Sequence, residues 1–382
     1  MTAAFDTVDR RKLLDIMVNF VDEDDLRLTH LLLSNTSLEI RMNGNVTTEP
    51  FNSNVGSPQG DAFSGCLLAF YFETALRKLR DKLITNDIIS EHSYCAQYIP
   101  PHPEEAIYAD DADFISTSTT RRNKLLNIVS PTLNNENLKV NNSKTEHTIL
   151  ARKKDQEQET WRSTKKLGSL LGDREDIARR KQLAIAAMNE IQTVWIRSIH
   201  TGLRTRMQLY NSIVLHVLLY NCSTWGLSKT DAESIDAFHR NQLRRVLNIR
   251  WPHRISNANL YKRTKTHPIS INILIARWKL LGHILRLNAN TPAIKAMQYF
   301  FTEIEGAKKF RGRPRTTIVT TINNDLKNLY ATNDNIINTL NFPSKLSNLQ
   351  DFNKLKSIAQ DRNTWQEVIK VLDKAGKANK SL

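Results

Sequence analysis

The sequence predicts an α+β protein in which helices and short antiparallel strands are followed by a mostly helical region. Residues 37–42 alternate polar and apolar side chains and lead into Asn43-Gly44, a pair typical of a tight hairpin turn. Residues 46–49 are the expected return strand. Residues 107–115 contain two short β-type runs around an acidic turn. Beyond Leu170 the apolar residues recur with helical spacing instead.

Further elements follow from the spacing of apolar residues. Helices are predicted over 10–20, from Asp24 onward, over 64–82 and over 121–133, the last interrupted by Pro131. Short strands are predicted at 138–140 and 148–150. In the second half, helices are predicted over 176–200, 204–219, 231–247, 271–287 and 317–330, and the polar end from Lys374 is expected to fray. The first three of these, joined by short connections, suggest a small helical bundle.

Composition narrows the class of protein. The chain has 382 residues, 40% hydrophobic and 24% charged, which fits a folded protein of two or three domains. Three cysteines without metal-type spacing predict neither a disulfide framework nor a zinc site, and favour a reducing, intracellular compartment. No apolar run approaches the ~18 residues of a membrane span, and the first residues lack signal-peptide character.

The charge is distributed unevenly. Residues 1–150 hold 14 basic and 21 acidic side chains, a balance of −7, whereas residues 151–382 hold 40 and 18, a balance of +22. Residues 237–302 contain 12 Lys or Arg and no Asp or Glu. Such a field attracts polyanions, and nucleic acid is the predicted partner because Trp and Arg also stack on bases. A merely solvated basic face and an anionic membrane surface are the alternatives.

Three short segments in the first half suggest chemistry. Tyr108-Ala-Asp110-Asp111 places adjacent carboxylates in a turn, an arrangement that a divalent cation such as Mg²⁺ makes tolerable, although most such turns are simply solvated. In the segment 56–61, Gly-Ser-Pro-Gln-Gly-Asp, the glycines allow close backbone approach to a flat ligand. The alternative is a turn with Asp61 or Ser64 as a helix N-cap. Lys144 is predicted on a loop between strands, where a solvated lysine is the alternative.

In this order and spacing, these segments resemble the reverse transcriptases of non-LTR (LINE-type) retrotransposons. The similarity begins at Ala4–Asp9 and continues through 56–61, 108–111, 141–145 and Lys165–Gly168. Less specific similarity extends through 219–225, 238–245 and 277–283. The resemblance implies an incomplete polymerase palm over 1–170 with the fingers missing, a helical thumb over 171–250, and a basic, mostly helical C-terminal region over 251–382.

The resemblance also implies residue roles. Asp110 and Asp111 would bind two catalytic Mg²⁺ ions, and Lys144 would donate a proton to the leaving group. Phe5 would lie beneath the incoming sugar, with Gln59 and Gly60 shaping the nucleotide pocket. An RNA template, a DNA primer or target and deoxynucleoside triphosphates are the implied partners, with no membrane involved, in a nuclear and cytoplasmic setting.

One feature of the family pattern lies outside the chain. In this family the first motif, whose tail is similar to residues 4–9, contains an aspartate five residues before an aromatic residue. The aromatic corresponds to Phe5, so the aspartate would lie before Met1. Asp6 is no substitute, because it follows the aromatic and its side chain alternates onto the other face. The 382 residues are therefore expected to be an N-terminally truncated copy without templated DNA synthesis of its own. The alternative function is a non-catalytic nucleic-acid-binding remnant.

Binding is expected to depend on basic residues of the second half. The predicted phosphate contacts are Arg244, Arg245, Lys262, Arg263 and Lys265 in the acid-free stretch. Arg311 and Arg313 lie in Arg-Gly-Arg-Pro, which resembles the core of an AT-hook. General phosphate contact and a solvated linker are the alternative interpretations of that segment.

Overall fold

The structure is a computed structural model of the chain. It describes residues 5–34, 36–42, 46–57, 63–89, 105–116, 118–150, 160–301, 316–331, 337 and 339–380. The chain forms two compact units, Met1–His147 (unit 1) and Thr148–Leu382 (unit 2). Residues 148–150 carry no charge, so the formal charges of the units are −7 and +22. The change in charge therefore coincides with the boundary between the units, whereas the predicted boundary at residue 170 lies inside unit 2.

Unit 1 combines helices with short antiparallel strands. Its helices are α1 (Arg10–Met17), α2 (Glu23–Leu33), α3 (Ser64–Thr85) and α4 (Thr119–Asn134). Its strands are β1 (Thr36–Leu38), β2 (Arg41–Met42), β3 (Val46–Thr47), β4 (Phe51–Ser53), β5 (Glu105–Tyr108) and β6 (Asp111–Phe114). They pair as three two-stranded antiparallel ladders, β1–β4, β2–β3 and β5–β6. The predicted α+β class with antiparallel pairing is confirmed.

The core of unit 1 forms around α3. Buried apolar side chains recur along this helix every three or four residues from Leu67 to Leu83, because one face of a helix repeats with a period of 3.6. Leu13 of α1 and Leu133 of α4 pack into the same cluster. Tyr71 Oη donates a hydrogen bond of 2.7 Å to the Glu136 carbonyl, and burial raises the pKa of Tyr71 to about 12.

Three local predictions near the end of unit 1 are wrong. The strand expected at 138–140 is absent, because Leu138 is fully buried in the core and Asn141 caps a 3₁₀ turn, Asn142–Lys144. Residues 148–150, the first of unit 2, do not form the expected strand either. Pro131 does not interrupt α4: it lies at an exposed position one turn before the helix ends, where few main-chain hydrogen bonds are lost.

Unit 2 is mostly helical. Its helices are α5 (Asp173–Ile191), α6 (Leu203–Leu209), α7 (His216–Leu218), α8 (Lys229–Val246), α9 (Asn257–Thr264), α10 (Ile269–Leu285), α11 (Pro292–Tyr299), α12 (Ile318–Tyr330), α13 (Leu349–Gln360) and α14 (Arg362–Lys380). π-Helical turns, Gln192–Ile196 and Tyr210–Leu215, extend α5 and join α6 to α7. A small antiparallel ladder, β7 (Lys165–Lys166) with β8 (Ser169–Leu170), precedes α5. Helix α14 continues to Lys380, so the polar residues from Lys374 to Lys380 are helical.

Two hydrophobic clusters fill unit 2, one between Ile177 and Ile273 and one between Trp278 and Leu372. Helix α10 contributes to both, so the predicted boundary at residue 250 falls within the first cluster. None of the described helices is both long and apolar enough to cross a membrane.

Buried charges fix the segments 219–225 and 277–283 within unit 2. Asp176, 1% exposed, accepts hydrogen bonds from Leu170 N at 3.0 Å and Trp225 Nε1 at 3.1 Å, which ties segment 219–225 to β8. Asp325 binds Arg277 through Nε at 3.1 Å and Nη2 at 2.9 Å, and accepts a 3.0 Å bond from Trp278 Nε1. Both segments therefore have structural roles in unit 2.

His239 is 1% exposed and contacts the first cluster of unit 2 through two tyrosines. Its Nδ1 is 2.8 Å from Tyr210 Oη, and the Tyr210 and Tyr261 rings stack with it at 5.8 and 6.4 Å. Burial lowers the pKa of His239 to about 4 from its usual 6.5.

This pKa makes the stability of unit 2 dependent on pH. Between pH 6.5 and 4 the unfolded chain binds a proton that native His239 does not, so the free energy of unfolding falls as pH falls through this window. The loss is on the order of 3 kcal/mol and is complete below pH 4. All six tryptophans lie in unit 2, so urea unfolding followed by their fluorescence reports on this unit alone.

The test compares His239→Gln with His216→Gln, which changes an exposed histidine. We expect the loss of stability between pH 7 and pH 4 to be smaller in His239→Gln than in the wild type, and unchanged in His216→Gln. Equal pH dependence in all three proteins would contradict this account.

Candidate functional site

The acidic turn lies at the tip of the β5–β6 hairpin. Tyr108 pairs with Asp111, which leaves Ala109 and Asp110 as a two-residue turn. Ala109 has φ 52°, in the left-handed region that residues with a Cβ adopt at a cost of roughly 1–3 kcal/mol. The predicted pair of strands around the acidic turn is confirmed, and its backbone is strained at the residue between Tyr108 and the carboxylates.

The base of this hairpin is attached to unit 1, and its tip is open to solvent. Phe114 packs against the core of the unit, and Glu105 Oε1 lies 3.4 Å from Arg80 Nη1 of α3. At the tip, Tyr108 is 67% exposed, Asp111 is exposed and Asp110 is half-buried. The hairpin therefore places an exposed aromatic ring and two adjacent carboxylates, one exposed and one half-buried, at the tip of a fixed base.

The donor set at this tip fits one magnesium ion. Mg²⁺ prefers carboxylate oxygens and keeps positions for water and phosphate oxygens, so one or two carboxylates suffice to bind it. Asp110 and Asp111 supply that number. Across the described ranges no group of three or more His, Cys, Asp or Glu side chains comes together, so a second ion needs a further ligand.

The first two segments of the family resemblance, 4–9 and 56–61, meet through main-chain hydrogen bonds of their described residues. Gly56 N donates to Val8 O at 2.9 Å, and Ser57 N donates to Phe5 O at 2.8 Å. Phe5 is half-buried and packs against the core of unit 1. Gly56 has φ 85°, and a Cβ there would lie 3.1 Å from Asp6 Cα and Phe5 O. Glycine is thus required at position 56 because the main chain of Phe5 and Asp6 lies so close to it. The sequence instead predicted that a ligand would approach this glycine.

Arg10 holds this junction together and was missed by the sequence analysis. Although it is only 9% exposed, its guanidinium donates to four main-chain carbonyls: Leu33 and Ser53 at 2.6 Å, Gly56 at 2.8 Å and Val55 at 3.4 Å. Burial lowers the pKa of Arg10. The helical spacing of α1 could have predicted a buried Arg10, because Arg10 lies on the same buried helical face as Leu13 and Met17.

A pocket of ≈ 540 Å³ opens beside the junction. Its lining residues are Asp6, Thr7, Val55, Asn134, Asn137, Lys139 and Val140. The lining combines residues of segment 4–9 with residues just before segments 56–61 and 141–145 and with two asparagines at and just after the end of α4. Asp6 and Lys139, which the sequence analysis did not assign to the site, are its charged groups, and neither Phe5 nor Lys144 belongs to the lining.

The other predicted site residues of the first half are either exposed or outside the described residues. Lys144 is exposed in the 3₁₀ turn that Asn141 caps, with no flanking strands. Gln59, Gly60 and Asp61 lie outside the described residues. The alternative of a Ser64 N-cap is wrong, because Ser64 is the first residue of α3 and the N-cap position belongs to Phe63, without a side-chain capping bond.

The predicted phosphate contacts of unit 2 divide into two sets. Lys262, Arg263 and Lys265 are exposed at the end of α9. Arg244 and Arg245 are half-buried and engaged: Arg244 Nη2 donates to Asn257 Oδ1 at 2.8 Å, and Arg245 Nη2 donates to Asn189 Oδ1 at 2.6 Å. Arg311 and Arg313 lie outside the described residues.

Comparison with known families addresses the first part of the chain. Residues 1–172 match the family model described as reverse transcriptase (RNA-dependent DNA polymerase). This region is similar to reverse transcriptase domains. The match covers less than half of the chain, and it includes unit 1 and the β7–β8 ladder of unit 2. No curated protein matches the chain.

The junction predicts opposite effects for two glycine substitutions. Gly56→Ala should lower the free energy of unfolding of unit 1 by about 1–3 kcal/mol, because φ is positive and the Cβ is crowded. Gly65→Ala is the control: it lies in α3 with nothing within 4 Å of the added Cβ, so alanine should be neutral or stabilise by up to about 1 kcal/mol.

Pulse proteolysis in urea measures both effects, with fragments assigned to unit 1 by mass spectrometry. Equal stability of the two alanine variants would show that the Gly56 turn does not constrain the junction.

Proposed function

We propose that residues 1–172 supply the metal-binding turn and nucleotide pocket of an RNA-directed DNA polymerase of the non-LTR retrotransposon type. The observation that carries this proposal is the β5–β6 hairpin, which presents Asp110 and Asp111 at an anchored tip within the region that matches the reverse transcriptase model. Adjacent carboxylates at an anchored hairpin tip suit a metal-dependent nucleotidyl transfer better than a structural role.

In this proposal each residue has one task. Asp110 binds metal and Asp111 supports it, and a bound Mg²⁺ would promote ionisation of the attacking hydroxyl and neutralise phosphate charge. Phe5 lies beneath the incoming sugar, Gln59 and Gly60 shape the nucleotide pocket, and Lys144 gives a proton to the departing pyrophosphate. A second Mg²⁺ requires a further carboxylate, and the family resemblance places it five residues before Phe5.

The proposed partners are an RNA template, a DNA primer or target and deoxynucleoside triphosphates, in the nucleus and cytoplasm. Unit 2, with a formal charge of +22, is proposed to bind the nucleic acid through phosphate contacts. A second candidate function uses unit 2 alone: a non-catalytic nucleic-acid-binding protein. The acid-free stretch 237–302 favours this candidate independently of the hairpin.

Primer extension with Mg²⁺ tests the polymerase proposal. Two proteins are compared: the 382-residue chain, and the same chain preceded by a fingers segment and first-motif aspartate from a non-LTR reverse transcriptase. We expect only the extended protein to copy a primed RNA template, because Asp110 and Asp111 alone do not supply ligands for two ions. In the extended protein, Asp110→Asn should reduce the rate by about a hundredfold or more.

The matched control is Asp15→Asn, which neutralises an exposed carboxylate of the same unit and should leave the rate unchanged. Wild-type rates in the extended Asp110→Asn protein would contradict the proposal. If neither protein copies RNA while both bind it, the non-catalytic candidate replaces the polymerase.

Phosphate contact by unit 2 predicts a specific response to salt. Replacing exposed Lys262, Arg263 and Lys265 by Ala should weaken binding to RNA and DNA of any sequence. It should also flatten the log–log salt dependence by about two, if each residue neutralises about one phosphate. Filter binding at several salt concentrations measures the slope.

The control for the salt experiment is the triple alanine variant of Arg204, Lys229 and Lys374, which are exposed residues of unit 2 outside the acid-free stretch. It removes the same charge and should change the slope less. Identical slopes for the two triple variants would show that net charge, rather than the end of α9, determines binding.

A further inference from the structure

The loop between α8 and α9, residues 247–256 (the Trp251 loop), carries a tryptophan at an unusual position. Trp251 is 82% exposed, whereas Trp225, Trp278 and Trp365 are at most 2% exposed and Trp195 is 50% exposed. A large apolar ring normally buries most of its surface, and an exposed indole in a basic region is typical of a binding surface.

The loop is anchored at both ends. Asn248 N donates to Arg245 O at 3.0 Å and Ile249 N to Arg244 O at 2.9 Å, which continues the end of α8 into the loop. At the other end, Arg244 Nη2 donates to Asn257 Oδ1 at 2.8 Å, and Ile255 packs against the first cluster of unit 2. The exposure of Trp251 is therefore maintained by a loop with fixed ends.

Basic side chains surround the indole. A shallow pocket of ≈ 330 Å³ is lined by Arg244, Ile249, Trp251, His253, Arg254 and Ile255. Arg250 and Arg254 are exposed on either side of Trp251 in the sequence. Within the described ranges neither arginine forms an ion pair, and residues 237–302 contain no acidic side chain. The loop thus combines one open π-face with two arginines that are available to an anion.

We propose that the Trp251 loop binds single-stranded nucleic acid by stacking an unpaired base on the Trp251 indole. Arg250 and Arg254 contact the flanking phosphates. Any unpaired base has a π-face, so stacking tolerates sequence, whereas a duplex keeps its bases within its own stack. The inference rests on the proposed nucleic-acid partner of unit 2 and adds to it a position for a base and a preference for single strands.

The surroundings of Trp251 favour nucleic acid over a membrane surface. A membrane-binding segment presents a contiguous apolar face that enters the lipid. The neighbours of Trp251 in the loop are Arg250, Pro252, His253 and Arg254, and Ile249 and Ile255 are half-buried. One isolated ring between charged groups matches the chemistry of a base flanked by phosphates.

The experiment measures the affinity of the full chain for four probes: oligouridylate, oligothymidylate, a mixed-sequence duplex DNA of the same length, and vesicles of phosphatidylcholine with phosphatidylserine. Trp251→Ala should weaken binding of both single strands by about tenfold, within the range of one stacked base. Duplex affinity and the salt slope should stay unchanged, because no charge is removed. Trp251→Phe should lie between the wild type and Trp251→Ala.

The matched control is Trp195→Ala, which removes a half-exposed indole elsewhere in unit 2 and should leave all affinities unchanged. Arg250→Ala with Arg254→Ala should flatten the salt slope for single strands. Thermal melting by circular dichroism verifies that each variant is folded.

Each other outcome overturns the inference in an identifiable way. Unchanged single-strand affinity in Trp251→Ala would remove the stacking site while leaving phosphate binding by unit 2 intact. Equal losses for single strands and duplex would assign the loop a structural role. Vesicle binding that depends on Trp251 and exceeds binding to the oligonucleotides would identify a membrane surface instead. Absence of nucleic-acid binding by the wild type would reject the proposed partner together with the loop.

Discussion

The architecture of unit 1 depends on one buried cation. Arg10 lies at the start of α1 and binds main-chain carbonyls from the end of α2, from the last residue of β4 and from the segment that follows β4. A single guanidinium therefore fixes the approach of two motif segments that are nearly fifty residues apart in the chain. Hydrogen bonds to a charged donor are stronger than neutral ones, and carbonyls left unsatisfied in the interior are costly. The short strands of unit 1 have few ladder bonds, so this cation has an unusually large role.

In unit 2, buried aspartates rather than a buried arginine hold distant segments together. Asp176 links β8 to Trp225, and Asp325 links Arg277 to Trp278. Burial raises the pKa of Asp325, while the Arg277 charge opposes that rise. With these turns and helices fixed internally, the exposed side chains include Asp111 of the β5–β6 hairpin in unit 1, and Arg250, Trp251 and Arg254 of the Trp251 loop in unit 2. In the proposed function, the acidic unit supplies the metal-binding turn and the basic unit binds nucleic acid.

The sequence predicted the elements with strong periodicity and the turns with distinctive residues. Helices α3, α8 and α10 and the acidic hairpin lie where their patterns placed them. Sequence patterns are insufficient where tertiary contacts determine the local structure. The alternation at 138–140 predicts a strand, yet Leu138 packs into the helical core. The roles of Arg10 and Gly56 depend on partners distant in sequence, so spacing alone did not show them. The exposure of Trp251 likewise depends on how α8 ends and how α9 begins.

Hydrogen–deuterium exchange of the full chain tests the role of Arg10 most directly. In Arg10→Met, which keeps an unbranched side chain but removes its donors, we predict faster exchange in peptides covering α1 and residues 51–57, where the amides of Gly56 and Ser57 bind Val8 and Phe5. Exchange in α8, α10 and α14 of unit 2 should remain at wild-type rates. Unchanged protection at 51–57 in Arg10→Met would contradict the claim that this buried cation holds the two motif segments together.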